Sequence, residues 1–298
     1  MRFLDADAVA ALGPAAAVRA ITDALRGGLD PAADPPRVPV PVARGQLLLM
    51  PSQTPVAAGV KVATVAPDNP TRGLPRVQAT YLLFDRETLA LRAVLDGTAL
   101  TTLRTPAVSV AAVAHRLPDR PLRIAVVGAG PQAVGHVRTL AAVRPLESAV
   151  HLVRDASSTR LDAVELGSPP ADEALRSADV VVCATSARSP VFDSVLVRDD
   201  AVVIAVGSHE PEARELDGAL LGRATVVVED VTTAVREAGD VVLAISEGRL
   251  TREDLVPMRQ VVTGADPGTA RRPLVFKSVG MSWQDLVVAA AVVEHAGG

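Results

Sequence analysis

The chain of 298 residues has a single cysteine, Cys183. That excludes an intrachain disulfide and any multi-cysteine zinc or iron–sulfur site, and it fits a reducing, cytoplasmic compartment. Surplus positive charge is also missing: 30 basic side chains stand against 34 acidic ones, a formal charge of −4, so a dedicated nucleic-acid binder is not expected. No long hydrophobic run is present. Leu286–Val293 is eight residues long, where a bilayer span takes roughly 18–20, and Asp5 and Asp7 lie where a signal peptide needs its apolar segment. Neither export nor membrane insertion is expected. His115, His136, His151 and His295 show no metal-ligand spacing, and no repeat is visible.

What the sequence does hold is 49% apolar residues, enough for the two cores that a chain of this length predicts. Two helices are expected to open it: a short one capped by Asp5 or Asp7, and one with Pro14 in its first turn, stopped at Gly27-Gly28. Gln46–Met50, Gly59–Val65, Val77–Phe84 and Leu89–Leu95 read as a sheet of antiparallel type. A helical stretch from about 98 to 116 contains Pro106, read as the first position of a new helix capped by Thr105.

Beyond Pro121 the pattern changes to short, continuous β-branched runs at Arg123–Val127, Ala149–Val153, Asp179–Ala184, Ala201–Val206 and Thr225–Val228, alternating with helical segments. Such runs suit parallel strands covered on both faces. The fold class expected is α/β: a Rossmann-type doubly wound parallel sheet over 118–278, plus a discontinuous α+β domain made of 1–117 and a C-terminal helix within 279–298. The interval from Asp155 to Ala178 is short for the helix, strand and helix it has to hold.

The strand at Arg123–Val127 runs into Gly128-Ala-Gly-Pro-Gln-Ala133. Gly128 allows a tight turn, Gly130 lets backbone approach a pyrophosphate, and Ala133 permits close helix–strand packing. With a strand before and a helix after, this reads as a dinucleotide-binding turn whose anion faces the helix N-terminus. At the end of the next strand Arg154 favours the 2′-phosphate of NADP and Asp155 the free hydroxyl of NAD; NADP(H) is favoured over NAD(H), because the arginine comes first and Ser157, Ser158 and Arg160 follow.

Taken together, Leu49-Met-Pro51, Gly59-Val-Lys61, Pro67-Asp-Asn69, Leu95-Asp-Gly97, Leu103-Arg-Thr105, the Gly128 turn, Arg214-Glu-Leu-Asp217 and Phe276-Lys-Ser-Val-Gly280 resemble the ornithine cyclodeaminase and μ-crystallin family, with its ketimine reductases and alanine dehydrogenase branch. The resemblance spans nearly the whole chain. It implies a homodimer formed through the sheet of the first domain, nicotinamide in the cleft between the domains, and a small amino or imino acid as substrate. Arg37 and Arg104 then clamp the substrate carboxylate, as two parallel hydrogen bonds from a guanidinium can, and Lys61 binds substrate and exchanges a proton with it. Spacing alone leaves Arg37 open as a solvated connector residue, Arg104 as a surface helix residue and Lys61 as a strand-edge residue. Cofactor contacts are implied for Thr105, Gly128, Gly130, Pro131, Gln132, Ala133, Arg154, Asp155, Thr185, Val206, Gly207, Ser278, Val279 and Gly280.

The family's cyclodeaminases carry a carboxylate after the fourth Rossmann strand, where this sequence has His209, and an acid two residues before Met50, where it has Leu48. His209 is the candidate second acid or base; Glu210 is shifted by one position. Loss of both acids removes the charge that would hold a diamine's distal end. The expected activity is therefore NAD(P)H-dependent reduction of a ketimine or α-imino acid, or the reverse dehydrogenation. The alternatives are an ornithine cyclodeaminase forming proline with catalytic NAD, and a non-catalytic NADPH- and small-ligand-binding protein of μ-crystallin type. Cys183 and Trp283 are expected in cores, and Lys277 behind the site without touching substrate.

Overall fold

The computed structural model describes residues 1–265 and 272–297; residues 266–271 and 298, inside the expected second and third segments, lie outside the described ones. The chain divides into two compact units, one made of residues 1–108 with the segment from Met281 onward, the other of Ser109–Gly280.

In the first unit β1 (Arg2–Leu4) precedes α1 (Ala6–Ala10) and α2 (Pro14–Arg26), so a strand rather than a helix opens the chain. Three residues carry no readable period, and β1 exists because it pairs in parallel with a later strand. Asp5 caps α1 by accepting from Ala8 N. Val18, Ile21 and Leu25 form the buried stripe of α2. Then come β2 (Val38–Val42), β3 (Gly45–Gln53), β4 (Ala57–Val65), β5 (Val77–Asp85) and β6 (Leu91–Asp96). The sheet order is β1-β6-β5-β4-β3-β2, antiparallel apart from the β1–β6 pair. β2 was not expected, because Pro39 and Pro41 interrupt it; at an edge, prolines cost little.

One of the motifs, Leu95-Asp-Gly97, is structural. Asp96 accepts from Thr98 N and Ala99 N, capping α3 (Gly97–Val113), and a Cβ on Gly97 would sit 2.7 Å from the Ala79 carbonyl carbon. α3 continues through Pro106, correcting the expected break there. Residues 107–113 are buried almost without interruption, and that burial outweighs the hydrogen bond proline forfeits.

The second unit holds β7 (Leu122–Val127), α4 (Pro131–Val143), β8 (Leu146–Val153), β9 (Ala163–Glu165), α5 (Pro169–Ser177), β10 (Val180–Cys183), β11 (Val202–Ala205), α6 (Gly218–Arg223), β12 (Thr225–Val228), α7 (Val231–Glu237), α8 (Gly239–Ser246), β13 (Leu255–Pro257), α9 (Met258–Val262) and β14 (Leu274–Lys277); α10 (Ser282–His295) returns to the first unit. The sheet is parallel, in the order β13-β12-β14-β11-β10-β7-β8-β9. This is the doubly wound architecture, and strand order reverses between β7 and β10, where such sheets bind ligands at their carboxyl ends. The short interval after Asp155 keeps its strand as β9 but reduces its first helix to a single 3-10 turn, Ala156–Ser158.

Buried charge holds those carboxyl ends in place. Lys277 at the end of β14 is fully enclosed; its Nζ lies 2.9 Å from Asp240 Oδ2 and donates to the Ser208 carbonyl at 2.6 Å. Asp240 also accepts from Glu215 N and Leu216 N. Removing one partner of such a pair strands the other charge, at a cost of about 3–5 kcal/mol. Lys277→Met should therefore lower the unfolding free energy by about that amount in urea titration; a loss under about 1 kcal/mol would mean the pair contributes no more than an exposed one.

Candidate functional site

The first unit gathers a charged cluster on the sheet face under α10. Lys61 on β4 is directly opposite Met50 on β3 and Tyr81 on β5. Its Nζ donates to Asp285 Oδ2 at 2.7 Å and to Thr101 Oγ1 at 3.4 Å. Arg104, one helical turn beyond Thr101 on α3, donates from Nε to Asp285 Oδ1 at 3.1 Å and from Nη1 to Gln284 Oε1 at 2.8 Å. All four of Lys61, Arg104, Gln284 and Asp285 are buried. Arg37, half-buried just before β2, is close enough to act electrostatically on Lys61. The structure thus brings together Arg37, Lys61 and Arg104, three residues far apart in sequence.

Burial, rather than the neighbouring arginines, is the main reason the Lys61 pKa falls to about 8; Asp285 opposes that fall, and Arg104 and Arg37 add to it. Lys61 is therefore mostly protonated at neutral pH and can release that proton one pH unit higher. Tyr81 is fully buried, its hydroxyl has no hydrogen-bond partner, and burial pushes its pKa up, so it stays a neutral donor. Gly59 of the Gly-Val-Lys motif leaves room for that ring, since a Cβ there would overlap the Tyr81 hydroxyl.

Asp285 and Gln284 were not anticipated. The available signal was two polar residues opening an otherwise apolar helix, Ser282-Trp-Gln-Asp-Leu-Val-Val-Ala-Ala-Ala, but nothing local says which cations they meet. Leu48 sits on β3 where the family's acid was sought.

In the second unit Gly128 has φ +125°, and a Cβ there would lie 2.7 Å from the Ala184 carbonyl oxygen; only glycine fits this turn. A Cβ on Gly130 would meet nothing within 4 Å, leaving open space at the N-terminus of α4, where Gly130 is an N-cap without a side chain to spend on the first-turn N–H groups and Pro131 begins the helix. Gln132 follows in that turn, and Ala133 is buried behind it. This cradle fits a pyrophosphate. Two histidines brace it: His151 contacts the Gly128 carbonyl at 2.8 Å, and His136 donates from Nδ1 to the Gln132 carbonyl, so its Nε2 accepts from Ser109. Burial lowers the His136 pKa to about 4, which keeps the ring neutral.

Farther along the same edge, Glu215 accepts from Thr185 N, Thr185 Oγ1 and Gly207 N, each at 2.7 Å, tying the end of β10 to that of β11. Val206 N donates to the Cys183 carbonyl. Glu229 accepts from Ser278 Oγ, Val279 N and Gly280 N, and Ser278 N donates to Ala205 O, so the N–H groups of 278–280 are engaged within the unit and fix the shape of this loop. Arg154, at the end of β8, is exposed; Asp155 is turned back on Ser157 N and Oγ at 2.9 and 2.6 Å. His209 is exposed on the loop after β11, and Glu210 pairs with Arg188 at 2.6 Å. Thr105 is buried beside Arg104 on α3, Cys183 and Trp283 are buried, and no cluster of metal-ligating side chains occurs among the described residues. Nor does any described helix have the length and apolarity to cross a membrane.

Comparison with known proteins follows the same lines. Residues 10–298 match the ornithine cyclodeaminase/mu-crystallin family model. The ketimine reductase mu-crystallin of Rattus norvegicus is 33% identical over 273 residues, 87% of this chain and 84% of its own. Among solved structures, Thermococcus litoralis Δ1-pyrroline-2-carboxylate reductase in complex with NADH and L-proline superposes with a TM-score of 0.88 at 26% identity, covering 99% of this chain and 97% of the other. An archaeal alanine dehydrogenase dimer with bound NAD gives 0.85 at 28% identity, covering 99% and 96%.

The chain has two lysines, Lys61 and Lys277, so its lysine side chains are separable by NMR. In protein labelled at lysine, with Lys61→Arg for assignment, the Lys61 signal should titrate near pH 8. Asp285→Asn removes the carboxylate that favours the charged form and should move that midpoint to lower pH; an unmoved midpoint would take Asp285 out of the account. The chain belongs to the ornithine cyclodeaminase/mu-crystallin family.

Proposed function

We propose that the protein is an NAD(P)H-dependent oxidoreductase of small amino or imino acids, reducing a cyclic or open α-imino acid to the amine and running in reverse as an amino-acid dehydrogenase. One observation carries this reading: Lys61 and Arg104 already hold a carboxylate, that of Asp285, in a buried site with Arg37 nearby. Two cations fixed around one anion retain positive charge for a second anion, the carboxylate of an imino acid.

Arg104 is fixed in plane by its bonds to Asp285 and Gln284, so its guanidinium orients the substrate rather than merely attracting it. Lys61 gives its proton to the imine nitrogen; the bond order between carbon and nitrogen falls from two to one as carbon receives hydride and nitrogen keeps that proton. When bound, the reduced nicotinamide supplies the hydride. His209, open to solvent, acts on this reading as a second proton carrier. Ornithine cyclisation is disfavoured: Leu48 and His209 replace its carboxylates, and Glu210 is committed to Arg188.

The cofactor preference proposed is NADPH, because Asp155 is spent capping its own turn while Arg154 stays exposed. Association as a homodimer is proposed through the first unit's sheet, where Val38, Val40 and Val42 of edge strand β2 lie exposed.

The test is NADPH oxidation with Δ1-pyrroline-2-carboxylate, Δ1-piperideine-2-carboxylate, and pyruvate with ammonia or methylamine. Turnover is expected with at least one, with kcat/KM falling as pH rises through about 8 and Lys61 loses its proton. Absence of oxidation across the panel, or proline release from ornithine without net NADH formation, would overturn the reading. Arg154→Ala should raise KM for NADPH about tenfold, equivalent to roughly 1.4 kcal/mol, and leave KM for NADH unchanged; equal effects on both would remove Arg154 as the selector of the phosphate.

A further inference from the structure

The helix α10 brings Gln284 and Asp285 to Lys61 and Arg104, yet it has no cap of its own: the residue before its first turn is Met281, whose side chain accepts no hydrogen bond. The acceptor comes from 249 positions earlier, in the connector between α2 and β2. Asp34 Oδ2 accepts from Trp283 N at 2.9 Å, and the Ser282 N–H also donates to this carboxylate. Its other oxygen accepts from the buried Ser52 Oγ on β3 at 2.6 Å. Burial is the main influence on Asp34 and raises its pKa to about 6, so at neutral pH it is mostly ionised and offers both oxygens as acceptors.

The same residue begins the run Asp34-Pro-Pro-Arg37. Asp34 is extended, at φ −70° and ψ 133°, and its N–H donates to the Pro31 carbonyl, closing a 3-10 turn at Pro31–Ala33. Two prolines in succession hold φ near −65° and favour a stiff, extended course of about 3.1 Å per residue, so the position of Arg37 follows from where Asp34 is fixed. On the far side of Arg37, Val38 pairs with Leu49 of β3. Asp34 is also near the charged cluster itself, because its charge acts on Asp285 and Tyr81. The largest charge effects on Lys61 come from Asp285, Arg104 and Arg37, so Asp34 reaches Lys61 chiefly through these neighbours.

We propose that Asp34 is a positioning residue of the carboxylate site: by capping α10 it holds Asp285 and Gln284 against Lys61 and Arg104, and by anchoring the two prolines it holds Arg37 beside them. The proposal rests on the reading of Lys61, Arg104 and Arg37 as the residues that receive the substrate carboxylate. Asp34 touches neither substrate nor reacting atoms. Its part is to pre-organise cations that come from three separate segments of the chain, so that the imino acid does not have to order them on binding. Loss of the cap therefore costs substrate affinity.

Asp34→Asn keeps the size of the side chain but leaves one carbonyl oxygen for two sets of donors. In full-length protein labelled at lysine, the Lys61 midpoint should move to lower pH, because Asp285 is held less closely to it. In an Asp285→Asn background the same substitution should add no further shift, since the path through Asp285 is already cut. With the imino acid that the wild type turns over, KM for that substrate should rise about tenfold, the scale of one lost helix cap, while KM for NADPH stays within about twofold. A residue that only stabilises the fold would lower Tm and the active fraction, and would leave the Lys61 midpoint and both KM values in place. Ser52→Ala, which removes one donor and spares the carboxylate, should give the same pattern at smaller size, and circular dichroism shows that each variant is folded. An unmoved Lys61 midpoint in folded Asp34→Asn protein, a shift that persists in full in the Asp285→Asn background, or equal changes in both KM values would overturn the positioning role. A coupled Lys61 shift without a rise in substrate KM, or without turnover in the wild type, would uphold Asp34 as the anchor of Asp285 and overturn the carboxylate clamp.

Discussion

The first unit depends on one carboxylate shared by two cations. Burying three charges costs several kcal/mol for each, and only close, well-directed pairing repays it. Asp285 supplies this with one oxygen to Lys61 and the other to Arg104, while Gln284 takes a further guanidinium N–H. The count is two positive charges against one negative, with Arg37 adding another positive charge nearby. Asp285 thus makes the burial tolerable without neutralising the site. Without Asp285, Lys61 would shed its proton more readily; a second buried acid would cancel one more positive charge and weaken the pull on a substrate carboxylate.

The basic residues divide by what each can do. Of thirty, two are lysines, and both are enclosed. Arginine does not release its proton in a protein, so it suits orientation and surface pairing. The ammonium of Lys61, a point donor whose pKa responds to burial, faces Asp285 and Thr101. That of Lys277 faces Asp240 and the Ser208 carbonyl instead, and holds the segment before His209. The second unit repeats the device with carboxylates: Glu215, Glu229 and Asp240 each gather backbone N–H groups at the carboxyl edge of the sheet. The Arg-Glu-Leu-Asp and Phe-Lys-Ser-Val-Gly motifs accordingly set loop shape: Glu215 ties two strand ends, Asp217 caps α6, and Lys277 with Ser278 anchors the last strand.

These roles mark where sequence reading stops. The parallel strands, the Gly128 turn and the final helix were legible because each is specified within about ten residues, by a continuous apolar run, by a φ open only to glycine, or by a capping residue. β1, β2 and β13 were not, being three to five residues long and defined by partners elsewhere. Pro106 misled for the same reason, since what keeps α3 whole is tertiary burial. Arg37, Lys61 and Arg104 could be named through family resemblance, but Asp285, which meets Lys61 across 224 positions, carried no local sign. The histidines show the same limit: the bracing of the Gly128 turn by His136 and His151 depends on a fold that sets His151 beside Gly128.

The discontinuity of the first unit has a chemical reason in the same cluster. A C-terminal helix could return to its sheet for apolar packing alone, and Leu286, Val288, Ala289, Val292 and Val293 are buried accordingly. Apolar contact alone leaves the rotation and register of a helix loosely specified, because neighbouring ridges offer similar area. Gln284 and Asp285 at its start, together with the Trp283 backbone N–H, which donates to Asp34, admit one register, since a slip of a single residue would strand Asp285 among apolar groups and leave Lys61 and Arg104 without a counter-charge. The polar first turn therefore specifies how α10 docks, the apolar remainder supplies the energy of docking, and the site exists only once both ends of the chain are in place.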